Sequence, residues 1–204
     1  RGGVFTGAAD AVKFDVAIDA GTKITFDGAI VTGGSSAIAF AHDVSGKVII
    51  STGCFTSNTA AALNFAAAIL PASSVSISGS IVSGPDGPLS FANVQSTLSL
   101  VEAHAYATTS TAVVVTAVTA ATISFSGGSY TGAGKAMHFA GAVDGATTIS
   151  IERATLTSGN GHAAIGIGST VAGKFVISRS TLAGSGHGIG LSGALTGSIA
   201  LDQS

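Results

Sequence analysis

An internal repeat of about 24 to 28 residues runs through this chain from end to end and sorts its apolar residues into four columns, which leaves very few folds open to it. The first column is a pair of apolar residues separated by one other: Ile24/Phe26, Val48/Ile50, Val75/Ile77, Leu98/Leu100, Ile123/Phe125, Ile149/Ile151, Phe175/Ile177 and Ile199/Leu201. The second is one large residue, often followed by Thr, Ser or Gly: Phe5, Val31, Phe55, Val82, Tyr106, Tyr130, Leu156 and Leu182. The third is again an alternating pair: Val12/Phe14, Ile38/Phe40, Leu63/Phe65, Leu89/Phe91, Val113/Val115, Met137/Phe139, Ile165/Ile167 and Ile189/Leu191. The fourth is a lone aliphatic near a corner: Ile18, Val44, Leu70, Val94, Val118, Val143, Val171 and Leu195.

Alternation at period two, in β-branched and aromatic residues flanked by Gly, Ser or Asn, is the pattern of a short half-buried strand. A helix would place apolar residues three and four apart over ten or more positions, a period almost absent here. The Ala-rich stretch from Thr59 to Leu70 has helical propensity. It is nevertheless assigned to strand, because Leu63/Phe65 falls on the third column, and the length of that coil leaves room for a bulge. Three short strands per coil, repeated without hairpins, predict an all-β solenoid: a right-handed parallel β-helix of about eight coils and roughly 35 to 40 Å, with residues 1–204 as one segment. A β-sandwich, the competing all-β fold, would need hairpins and no fixed coil length.

Charged residues make up only 9% of the chain, and its mean hydropathy is positive. No apolar run approaches the roughly 20 residues of a membrane helix, and turn residues cut the strands short of the 9 to 11 or so that a membrane barrel needs. The chain is therefore expected to be soluble, with no membrane insertion. A net charge of −2 with scattered Lys and Arg gives no basic stripe for nucleic acid. Cys54 is the single cysteine and is read as a small filler beside Phe55, with intermolecular pairing as the alternative.

The catalytic signals are thin. Gly186-His187-Gly188 resembles the Gly-His-Gly of polygalacturonases, and His162 lies about one coil earlier. Glycoside hydrolysis needs converging carboxylates, yet between Asp144 and Asp202 the only acid is Glu152. Arg153 and Arg179 could stack as lyase bases, but no acidic cluster for Ca²⁺ accompanies them. Gly188 to Gly193 fits G-x-G-x-x-G only through glycine richness, since no helix follows to hold a pyrophosphate. No catalytic residue, cofactor or metal is expected, and polysaccharide processing ranks third among the functional readings.

Function would have to reside on the outward positions. Around the first column these are rich in hydroxyls, including Thr25, Ser76, Ser124 and Ser150, and are interrupted by Lys23, Lys47, Ile49 and Val176. Around the third column they read as small: Ala37-Ala39-Ala41, Ala62-Asn64-Ala66, Ala136-His138-Ala140 and Ala164-Gly166-Gly168. A broad Ala/Gly face permits close approach of another backbone, so Ala39, Ala66, Ala140 and Gly166 form the candidate packing face. The alternative is an idle sheet face.

Units such as GGSYTGAGKAMHFAGAVDGATTISI and SRSTLAGSGHGIGLSGALTGSIAL resemble the repetitive β-helix ectodomains of large microbial surface proteins. Bacterial autotransporter and haemagglutinin-type adhesins are one such group, and the dispersed-gene-family surface proteins of trypanosomatids are another. The resemblance implies an extracellular structural or adhesive role and transfers no functional residue. The segment RGGVFTG at the start resembles SGGSYTG at Ser126 to Gly132, so the chain enters mid-coil, and no polar cap is visible at either end. Open strand edges template further pairing. Flanking coils of a longer chain, or other copies, are therefore expected to stack there, and the sequence is expected to be part of something longer. An extended glycan or ice, bound through the hydroxyl face, is the alternative partner.

Overall fold

The computed structural model describes residues 2–202, so Arg1 of the opening RGGVFTG segment and the last two residues of the 1–204 segment lie outside it. Within it, 24 strands form three eight-stranded sheets, and every strand pair is parallel. Each coil contributes one strand to each sheet, and the strand of one coil pairs with its equivalent in the next. The protein is a parallel β-solenoid of eight coils.

Sheet I carries the first column, from Lys23–Asp27 to Ser198–Asp202; sheet II the second, from Gly3–Gly7 to Thr181–Gly184; and sheet III the third, from Val12–Phe14 to Ile189–Leu191. The register stacks like on like. Ile24, Val48, Val75, Leu98, Ile123, Ile149, Phe175 and Ile199 are successive partners in sheet I, and Ile38, Leu63, Leu89, Val113, Met137 and Ile165 in sheet III. The Ala-rich stretch enters this scheme as the strand Leu63–Ile69.

Stacking at the interstrand distance puts aromatic rings face to face. Phe14, Phe40, Phe65 and Phe91 form a continuous pile with centroids 4.8, 4.5 and 5.2 Å apart. Val115 ends it. Phe139 is also buried, but its aromatic partner lies across the core: Phe175 meets it edge-on at 5.3 Å.

Two column assignments are corrected. In the strand His104–Ala107 it is Ala105, not Tyr106, that lies in register between Val82 and Tyr130, and Tyr106 points outward with 52% of its surface exposed. The small Ala105 makes room for the Tyr130 ring of the next coil, which packs edge-on against Phe125 at 5.5 Å. In the fourth column the inward residue is Ile69 rather than Leu70. Phe65 to Ala68 faces Phe91 to Asn93, a bulge that inserts one residue into Leu63–Ile69 and brings Ile69 over Val44 and Val94.

The corners depend on conformation and on small side chains. At the corner leading into sheet II each coil has positive φ at one equivalent position, Gly2, Gly28, Thr52, Gly79, Glu102, Gly127, Arg153 and Arg179, and in one coil Gly128 follows Gly127 with positive φ as well. Glycine adopts this region at no steric cost, whereas the four other residues hold it under strain. Before sheet III, Ala37, Ala62, Ala112, Ala136 and Ala164 are buried inside the corner, so four alanines expected on the outer face belong to the core. Their carbonyls accept the amides of Val12, Ile38, Leu89, Val113 and Met137 at 2.9 to 3.2 Å, which carries the ladder around the bend. Carboxylates tie another corner: Asp43 accepts the Ala68 amide at 3.0 Å, and Asp144 accepts the Ala120 amide at 2.8 Å and the Thr147 hydroxyl at 2.6 Å.

Three outcomes follow from this packing. The Tyr130 hydroxyl is buried with no hydrogen-bond partner among the described residues, and burial, followed by the charge of Glu102, drives its pKa well above the usual phenol value. Tyr130→Phe is expected to raise stability by about 1 kcal/mol, read from the urea midpoint, because it removes an unmatched polar atom and keeps the ring. Pro71 followed by Ala72 at φ 68°, closed by the Ser73 amide donating to the Leu70 carbonyl at 3.2 Å, makes a turn that favours glycine at its third residue. Ala72→Gly is expected to gain about 0.5 to 1 kcal/mol, and Ala72→Val to lose at least as much, in the same titration. The Thr147 hydroxyl, with the amides of Ala120, Ala146 and Thr147, holds the Asp144 carboxyl below the usual carboxylate range despite an opposing desolvation. That contribution is complete above the unfolded pKa of about 3.9 and is lost as pH falls through the lower folded value. The stability difference between wild type and Asp144→Asn is therefore expected to narrow as unfolding is measured at pH values falling from about 6 to below about 3.

Candidate functional site

Each sheet presents an outer face built from the residues that alternate with its core column. On sheet I the central outward row runs Thr25, Ile49, Ser76, Ser99, Ser124, Ser150, Val176 and Ala200. The four hydroxyl residues singled out in the sequence therefore share one row, broken where Ile49 and Val176 were expected to break it.

Sheet II carries a second hydroxyl row that the column analysis did not single out. Thr6, Thr32, Thr56, Ser83, Tyr106, Thr131, Thr157 and Ala183 are successive partners, and the Thr56 and Ser83 hydroxyls lie 3.2 Å apart. Its signal was the Thr or Ser that follows most second-column residues. Beside it runs a row that changes character along the rod. Val4, Ile30, Cys54 and Ile81 occupy the first four coils, and His104, Ser129, Thr155 and Thr181 the last four. Val4, Ile30 and Ile81 are 74%, 50% and 53% exposed. Cys54 is a free thiol between the two isoleucines, and the Nδ1 of His104 lies 2.8 Å from the Ser129 hydroxyl on an open, flat surface.

On sheet III the outward row is Lys13, Ala39, Asn64, Ser90, Val114, His138, Gly166 and Gly190. Of the four packing-face candidates, Ala39 and Gly166 sit in this row, while Ala66 and Ala140 follow Phe65 and Phe139, one step nearer the corner. Ala39 and Gly166 are buried, Ala140 is half-buried and Ala66 is exposed. The face is shallowly troughed rather than flat. One hollow of about 340 Å³ opens over Asn64, Ser90 and Val114, walled by Ala60, Ala61 and Asp86. A second, of about 140 Å³, opens over Gly166, Gly168 and Gly190, with Lys135, His138 and Ser192 around it.

The second hollow has a built wall. A Cβ at Gly166 would collide with Cδ and Cε of Lys135, so this glycine is the seat over which the lysine stem lies. The ring of His138 shares the space, its Cδ2 above Gly166 and its Nε2 towards Gly168. Burial, and then the Lys135 charge, hold the His138 imidazole below its ordinary pKa.

The other residues weighed for catalysis lie elsewhere. Arg153 and Arg179 hold equivalent places at the positive-φ corner, where both meet Glu152: Arg179 through an ion pair, Arg153 through its Nε at 3.7 Å. Arg153 also donates to the Ser126 hydroxyl at 3.3 Å. This is an exposed ladder of alternating charge, an arrangement that contributes little to stability. His162 and His187 are exposed turn residues whose carbonyls accept the amides of Gly186 and Ala164 at 3.1 and 2.9 Å.

The chain was compared with protein-family models, curated proteins and solved structures, and none of them matches it.

Proposed function

We propose that this solenoid is a non-enzymatic, extracellular structural segment of a surface or filament protein, a rigid spacer that also provides an assembly surface. Its partners are other copies of itself or flanking segments of the same long chain. The observation that carries the reading is the distribution of side-chain bulk. The large residues are spent on an uninterrupted core through eight coils, while the outer face of sheet III carries Ala39, Ala66, Ala140, Gly166, Gly168 and Gly190. Small residues on a sheet face let a second backbone approach closely, and the exposed aliphatic row Val4, Ile30 and Ile81 on sheet II adds apolar surface of the kind that interfaces cover. The likeness of the repeat units to microbial surface ectodomains supports the cellular setting.

A second reading rests on a different observation. The threonine row of sheet II, with the serine row of sheet I, offers hydroxyls repeated at the strand spacing, which suits an adhesin that binds an extended glycan or ice.

The two readings separate in one experiment. Ala39→Arg and Ala140→Glu, on separate coils, are expected to shrink the particles seen by sedimentation or electron microscopy, while Thr25→Arg and Ser124→Glu leave them unchanged. Native material that stays monomeric at high concentration, or dissociation by the hydroxyl-face changes alone, would remove the assembly surface and put the ligand-binding reading first.

A further inference from the structure

Lys135 lines the hollow over Gly166, Gly168 and Gly190. Like Lys23, Lys47 and Lys174, and unlike Lys13, Arg153 and Arg179, it has no ion pair among the described residues; what sets it apart is its place beside a hollow. Its stem is nevertheless fixed across Gly166, and its charge is directed to the hollow that it shares with His138. Two nitrogen-bearing side chains thus face the same small space, beside the Ser192 hydroxyl and over a floor of glycine backbone. The hollow, of about 140 Å³ and open to solvent, has room for a carboxylate.

We infer that the hollow over Gly166, Gly168 and Gly190 is a binding site for a carboxylate-bearing small ligand, held by the Lys135 ammonium with His138 as second donor. An ammonium pairs with a carboxylate through short charge-assisted hydrogen bonds, and the absent side chain at Gly166 is what allows the lysine to lie flat enough to reach the hollow. The site is complete within one chain, and because Gly166, Gly168 and Gly190 also lie on the proposed packing face it is tested on dilute protein, where that face is free.

His138 reports on the site. The strands on either side of it present Val114 and Gly166, so the charged group that reaches its imidazole is Lys135. A carboxylate placed beside Lys135 offsets that charge and favours the protonated imidazole. The ring protons of His138 are identified among the five histidines by their loss in His138→Gln, then titrated by NMR in sodium glucuronate and in sodium chloride of equal ionic strength. Glucuronate is expected to raise the His138 midpoint above its value in chloride. Glucose, which supplies the ring without the charge, is expected to leave His138 unmoved. Lys135→Met is expected to raise the His138 midpoint without ligand, to abolish its response to glucuronate and to weaken glucuronate binding about tenfold or more by calorimetry. Gly166→Ala, which keeps both charges but lifts the lysine from its seat, is expected to weaken binding as well. The inference is overturned if His138 titrates identically in glucuronate and chloride, if glucose shifts it equally, or if Lys135→Met binds glucuronate as tightly as wild type.

Discussion

Everything in this protein depends on one distance, the separation of hydrogen-bonded strands, which is close to 4.8 Å. With every pairing parallel and each coil adding one strand to each sheet, a residue has its own equivalents above and below it. A column therefore works only if each member packs against the residues directly above and below it. The phenylalanine pile from Phe14 to Phe91 satisfies that condition, because ring spacings of 4.5 to 5.2 Å fall where offset rings attract. Ala105 beneath Tyr130 satisfies it in another way, a small residue beside a large one.

The paired columns were legible in the sequence because two constraints coincided in them: alternation at period two, and recurrence at coil length. All eight first-column pairs and all eight third-column pairs fall where they were read. The single-residue columns had only recurrence to fix them, and there a large residue misleads. Hydrophobic bulk alone favours Tyr106 over Ala105, and Leu70 passes for Ile69 because a bulge is invisible until the partner strand is known. The inner alanines were misread for a related reason. A short side chain carries the same letter whether it lines a tight corner or faces water, and only the bend of the backbone distinguishes Ala37 inside from Ala66 outside.

The same limit held for the candidate site. The serines of sheet I were found through their pairing with an apolar column, and they form the row expected. Lys135 and the Gly166 seat were not found together, because the two belong to different coils and meet only through the register of sheet III. Residues far apart in the chain become neighbours at one coil's remove, so in a fold of this kind a site is spelled down a column and not along a segment.

The corner between sheets I and II has a consequence for how such a chain can change over time. Each coil has positive φ at one equivalent position there, and glycine, threonine, glutamate and arginine all occupy it. The turn is set by a backbone state that several residue types can be held in. One edge of the rod is thus a line of positions at strand spacing that tolerate different side chains, each non-glycine residue at some cost in strain. Charge, bulk or polarity can be rewritten along it, one coil at a time, with the core undisturbed and only a modest conformational penalty at each exchange.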